Sequence, residues 1–238
     1  MVTSIFPLAV EAAVVRKRGV RLLGPIDLSL TGEGLTVVIG PNGSGKTTFL
    51  RLLHGLERPR EGAVRWAAPT SEARTRQAFV FQTPIMMRRS VRDCIAYPLI
   101  LRGSSRADAR RAAERAAADI GLDAALDLSA QTISGGEKQK LAIARALIAA
   151  PDVLFLDEPC ASLDGRATRE IEDALQKARA RGVRIVMSTH DMGQARRLAD
   201  DVLFLARGEL REAAAADRFF TAPESSEAQA FLDGRIVE

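Results

Sequence analysis

The 238-residue sequence predicts an α/β fold built on a mainly parallel sheet. Five short runs, at 35–39, 78–81, 153–156, 183–187 and 202–205, are almost wholly apolar. Strands read this way when both faces of their sheet are covered. Helical patterns fill the intervals, over 46–56, 136–149, 166–181 and 194–199. Strand alternating with helix is the pattern of βαβ units.

The elements follow in order. Residues 5–30 and 62–66 alternate apolar and polar more than the later runs do, which suits an N-terminal antiparallel β region. The strand at 35–39 enters a glycine-rich turn at 40–45 and then the helix at 46–56. From 83 to 128 no strand is legible, and helical patterns cover 90–101, 106–120 and 123–128. The middle one is rich in strong helix formers and stops at Gly121. Alternation resumes after 150, and the tail carries two short helical patterns at about 213–221 and 225–232. This reads as one domain over 1–238, with a core made of 1–82 and 151–238 and a helical insertion at 83–150.

Composition limits the function classes. Hydrophobic residues are 47% and charged residues 27%, ordinary for a soluble globular chain. No apolar run approaches the roughly 20 residues of a membrane span, and the N-terminus does not read as a signal peptide. A net charge of +4, with aromatics at 5% and both signs interleaved along 106–115, argues against a nucleic-acid binder. Cys94 and Cys160 lie far apart without ligand spacing and read as reduced thiols.

Three segments carry chemistry. Gly40-Pro41-Asn42-Gly43-Ser44-Gly45-Lys46-Thr47, followed by Thr48, fits G-x-x-x-x-G-K-[ST] between a strand and a helix. Its backbone N–H groups and the helix N-terminus favour a phosphate chain. Lys46 suits the β- and γ-phosphates and the Thr47 hydroxyl suits Mg²⁺. An apolar strand then ends in Asp157 and Glu158, at the carboxyl edge where ligands of parallel sheets bind. Asp157 suits a metal and Glu158 a water-polarising base. Ser134-Gly135-Gly136-Glu137 opens another helix and offers a second anion site or a plain N-cap.

Together with Gln82, Ser162-Leu163-Asp164 and His190, these segments resemble the nucleotide-binding subunit of ATP-binding cassette (ABC) transporters. Six motifs stand in that family's order: phosphate loop, Q-loop glutamine, signature, carboxylate strand, D-loop and switch histidine. The resemblance implies a P-loop NTPase core, RecA-like, with a helical signature subdomain. It implies ATP and Mg²⁺ as ligands, and a homodimer in which each ATP lies between the phosphate loop of one subunit and the Ser134–Glu137 helix of the other. Ser134, Gly136 and Asp164 then act in trans, Gln82 meets Mg²⁺ and the attacking water, and His190 meets the γ-phosphate.

The family often stacks adenine on an aromatic residue where this chain has Arg18, before Gly19; a guanidinium also stacks on a flat π-system. Glu137 stands where glutamine is commoner, and Cys160 where threonine or a small residue is frequent. A subunit of this kind sits peripherally on the cytoplasmic side of the inner membrane, with integral permease subunits and a solute-binding protein as partners. In the family, the run 82–91 falls on the face that docks the permease. Met86 and Met87 beside Arg88 and Arg89 suit an adaptable apolar contact there or ordinary packing of the helical subdomain. The part 86–91 of that run, together with 187–198, is similar to oxyanion importers of the tungstate, molybdate and phosphate type. The tail leaves no room for an added C-terminal regulatory domain. A second reading is an ATP-switched regulatory or scaffolding module of the division-associated type.

Overall fold

A computed structural model describes residues 4–235. Its first half runs β1 (Leu8–Lys17), β2 (Val20–Leu30), β3 (Leu35–Ile39), α1 (Lys46–His54), β4 (Glu61–Trp66), α2 (Thr70–Thr75), β5 (Gln77–Val80), α3 (Val91–Leu101) and α4 (Arg106–Ala118). Its second half runs α5 (Gly135–Leu147), β6 (Val153–Asp157), α6 (Gly165–Ala180), β7 (Arg184–Ser188), α7 (Met192–Leu198), β8 (Asp201–Ala206), β9 (Glu209–Ala215), α8 (Ala216–Thr221) and α9 (Ser226–Leu232).

Two sheets result. β2, β1 and β4 form an antiparallel sheet in that order, and β5-β6-β7-β3-β8-β9 form the central one. The first five strands of the central sheet are parallel and β9 closes its edge antiparallel to β8. The apolar runs are explained by period-two alternation. Leu154, Leu156, Ile185 and Met187 enter a core shared with α3 to α7. Val153, Phe155 and Val186 face the opposite way, into a core shared with α1 and the antiparallel sheet. With both faces buried, these strands are nearly all apolar, and their buried polar residues are Thr36, Asp157, Arg184 and Ser188.

His54, at the end of α1, is a packing residue. Its ring meets Phe79 and Phe155 edge-to-face, with centroids 5.5 and 5.7 Å away.

The tail differs from its expected course. Residues 213–215 belong to β9, and helix begins only at Ala216. Arg207 and Gly208, at φ 52° and 76°, make a two-residue turn that folds this alanine-rich segment back onto β8. Both residues at positive φ give a hairpin whose twist matches the strands, and cross-strand pairing overrides alanine's helix preference. The stretch 123–128 holds only a 3₁₀ turn at Asp123–Ala125, and α2 has no counterpart among the sequence patterns.

Candidate functional site

The carboxyl ends of β3, β6 and β7 converge on one place. From β3 the chain enters the 40–45 loop. Gly40 has φ 149°, and a Cβ there would fall 1.9 Å from the Leu205 carbonyl oxygen, so only glycine fits. Gly43 and Gly45 also have positive φ, and the Ser44 N–H closes the turn on the Pro41 carbonyl at 3.2 Å. α1 then starts with Gly45 as N-cap, no side-chain cap and no acidic residue in its first turn. Its leading N–H groups are therefore open to an anion.

Lys46 is buried, and Nζ donates to the Gly40 and Pro41 carbonyls at 2.8 and 3.1 Å. Burial pulls its ammonium below the ordinary value, against the opposing pull of Glu158 and Asp157. The Ser44 hydroxyl is buried without a hydrogen-bond partner among the described residues. A loop holding an orphaned hydroxyl, a lysine spent on carbonyls and an uncapped helix start fits a phosphate chain.

Across from it, Asp157 Oδ1 accepts from the Thr47 hydroxyl at 3.0 Å and from the Ser188 hydroxyl at 2.9 Å. A hydroxyl and a carboxylate in contact suit Mg²⁺, which is held by one or two protein oxygens plus substrate phosphates and water. Glu158, at φ 47°, is in the left-handed region that a bulky residue seldom occupies. Its backbone N–H donates to the Ser188 hydroxyl oxygen at 3.0 Å. Glu158 Oε2 accepts from Gln82 Nε2 at 3.3 Å and from His190 Nδ1 at 3.0 Å. Gln82, Glu158 and His190, far apart in sequence, thus meet at one carboxylate oxygen.

Ser188 is the residue that sequence reading missed. It orients both acidic residues at once, bonding Asp157 through its O–H and Glu158 through its oxygen. The only available signal was its place at the end of an apolar strand, two residues before His190.

The remaining site residues lie apart from this cluster. Ser134 is exposed and caps α5 through a capping box: its N–H and hydroxyl both donate to Glu137 Oε2, at 2.8 and 2.7 Å. These bonds hold the Glu137 carboxyl below the usual carboxylate range. Among the described residues, no hydrogen bond or ion pair joins 134–137 to 40–48. Asp164 is exposed and caps α6, accepting from the Ala167 N–H at 2.8 Å. Arg18 stands exposed at the tip of the β1–β2 hairpin, with φ 50°. The β2 arm of that hairpin brings Leu22 and Leu23 against Gly45.

Beside the site, Phe79, Phe81, Ile85, Met87 and Tyr97 line a groove of about 370 Å³. Ile85 is 79% exposed, whereas Met86 and Met87 pack half-buried on the core. The apolar surface available here therefore centres on Phe81 and Ile85, and Arg89 lies over the Tyr97 ring at 4.8 Å.

The family model for ABC transporters matches residues 23–161. The chain is 37% identical to a phosphate import ATP-binding protein, PstB 2, of Natronomonas pharaonis, over 92% of this chain and 84% of that one. It is 39% identical to the tungstate uptake system ATP-binding protein TupC of Peptoclostridium acidaminophilum, over 81% and 90%. It is 34% identical to the arginine transport ATP-binding protein ArtM of Bacillus subtilis, over 89% and 92%. Among solved structures it resembles cbiO1 of Clostridium perfringens, part of the cbiONQ transporter complex. There the TM-score is 0.80 and the identity 25%, over 94% of both chains. No helix among the described residues is long and apolar enough to cross a membrane. On its fold, its phosphate loop and these relatives, the chain belongs to the ABC transporter family as an importer-type ATP-binding subunit, an ATPase.

Proposed function

We propose that this subunit works as a homodimer that closes on ATP beneath integral permease subunits, on the cytoplasmic face of the membrane. A solute-binding protein delivers the cargo, an oxyanion such as tungstate, molybdate or phosphate. The convergence of Gln82 and His190 on Glu158 Oε2, next to the Thr47–Asp157 pair, carries the catalytic part of this reading. The phosphate and tungstate importer relatives support the cargo class.

The roles follow from the chemistry. Residues 40–48 wrap the phosphates, with Lys46 exchanging two backbone carbonyls for phosphate oxygens, and Arg18 stacks on adenine. Thr47, Asp157 and Gln82 would hold Mg²⁺, which would supply charge neutralisation at the phosphates. Glu158 takes the proton of the water that attacks the γ-phosphorus, while the bond to the β-phosphate breaks and ADP leaves. His190 steadies the γ-phosphate. Ser134, Gly135, Gly136, Glu137 and Asp164 complete the site of the partner subunit. Residues 83–150 form a helical lobe of the same unit, carrying that trans surface. The Phe81–Ile85 groove receives an apolar helix end from the permease.

A Glu158→Gln variant tests the centre of this scheme. Hydrolysis falls by about 10²-fold, the loss expected for a general base, while ATP binding persists and MgATP now holds a stable dimer. Parent-rate hydrolysis by that variant overturns the assignment. For the cargo, cells lacking the chain lose uptake of one of these oxyanions and retain uptake of arginine; the opposite pattern removes the oxyanion reading.

A further inference from the structure

We propose that Glu172 is a positioning residue that locks the His190 loop to the Asp164 loop, so that the two arms of the site respond to ATP as one body. This coupling rests on the roles proposed above for His190 and Asp164.

Glu172 lies on α6, the helix that Asp164 caps, and is only 8% exposed. Its Oε1 accepts from Arg197 Nη2 at 2.7 Å and from Gln194 Nε2 at 3.2 Å. Its Oε2 accepts from Arg197 Nε at 3.0 Å. Both donors belong to α7, which starts just after His190. Arg197 grips the carboxylate in a two-pronged fork, the geometry that fixes direction as well as distance.

The grip reaches His190 through the backbone. Asp191 caps α7, its Oδ1 accepting from the Gln194 N–H at 2.9 Å, and the Asp191 N–H donates to the Thr189 hydroxyl at 3.1 Å. His190 is therefore held between two residues tied to the α7 start. On the other side, the Gln194 side chain, 1% exposed, reaches the Cys160 thiol in the turn that leads to Asp164. Gln194 Oε1 remains buried without a hydrogen-bond partner among the described residues.

In the Glu172–Arg197 pair, burying the Glu172 carboxylate carries a desolvation cost that an apolar side chain of the same volume would avoid. What the pair adds is a fixed angle between α6 and α7. Loosening that angle leaves the phosphate loop intact. It disturbs the step that needs His190 and Asp164 in register.

The test measures ATP hydrolysis, MgATP binding and Tm for Glu172→Ala, Arg197→Ala, the double variant and His190→Ala. Glu172→Ala and Arg197→Ala each lower kcat by about tenfold, within the range measured for coupling residues remote from ligand, and leave KM for MgATP within about twofold. The double variant is no worse than Glu172→Ala alone, since either change breaks the same pair. Arg197 is half exposed, so Arg197→Ala serves if Glu172→Ala does not fold. Parent kcat in folded Arg197→Ala beside an inactive His190→Ala overturns the coupling alone. Losses confined to KM, or additive in the double variant, overturn it too. Parent kcat in His190→Ala removes the site reading beneath it.

Discussion

At the scale of single residues, buried titratable groups away from the proposed catalytic cluster give predictions independent of function. Burial lowers the His54 pKa from 6.5 to about 4, and its Nδ1 has no hydrogen-bond partner among the described residues. The folded state resists protonation that the unfolded chain accepts. The neutral ring's contribution is thus complete above pH 6.5 and is lost as pH falls from there toward about 4. The loss amounts to about 3 kcal/mol at most. His54→Phe removes this component, and melting curves recorded between neutral pH and about pH 4.5 should fall less steeply for the variant than for the parent. An equal slope in both means the ring is not shielded. Burial likewise pushes the Cys160 thiol up to about 11 and raises that of Cys94. Both stay protonated near neutrality and react slowly with a thiol reagent in the native state, with two thiols appearing once urea unfolds the chain. The clustering of Lys46, Thr47, Asp157 and Glu158 was legible in the sequence because the chemistry proposed for them needs fixed spacing around glycines and a strand end. Ser188 was not, because one hydroxyl on an apolar strand carries no spacing of its own.

At the scale of elements, legibility followed burial. β3, β6, β7 and β8 are covered on both faces, so their sequences are nearly all apolar and their bounds shift by no more than a residue or two from the expected runs. β9 is an edge strand with one face toward solvent, and its Ala213–Ala215 end has the composition of a helix. A usable signal did exist. Arg207-Gly208 repeats the dipeptide Arg18-Gly19 of the β1–β2 hairpin, and both pairs take positive φ at both positions. The β9 turn also supports the phosphate loop. The Gly208 N–H donates to the Ser44 carbonyl at 3.1 Å, and its own carbonyl accepts from the Gly24 N–H at 2.7 Å. A Cβ at Gly208, where φ is 76°, would come 2.7 Å from the Leu22 carbonyl oxygen. Gly208→Ala must displace the backbone of either the turn or β2. The expected cost is about 1–3 kcal/mol, with weaker ATP binding because the Ser44 anchor moves. Thermal melting and a fluorescent-nucleotide titration read the two effects separately. A variant that melts lower yet binds ATP as the parent does shows that the brace is structural alone.

At the scale of the whole molecule, a single chain does not bring its phosphate loop and the proposed second anion site together. α1 opens on the phosphate loop with its N–H groups uncapped, whereas α5 satisfies its own start with the Ser134–Glu137 box. The two helix starts have no hydrogen bond or ion pair between them among the described residues, and the proposed composite site draws its second half from a second copy of the chain. A head-to-tail dimer with two-fold symmetry supplies it twice over. Lys46→Ala disables the phosphate loop of a subunit, and Ser134→Glu places a negative charge where the γ-phosphate of the partner's ATP would dock. Each variant alone should be inactive, and Ser134→Glu should still bind ATP as a monomer. In an equimolar mixture, half the dimers pair one variant with the other. In each such dimer, one site combines the intact Lys46 of the Ser134→Glu subunit with the intact Ser134 of the Lys46→Ala subunit, and the other site carries both defects. Mixing two inactive proteins should then restore ATP hydrolysis, to at most about a quarter of the parent rate when one good site suffices. If Ser134 acted on the phosphates of its own chain, no pairing would unite an intact loop with an intact signature, and the mixture would stay as inactive as its components.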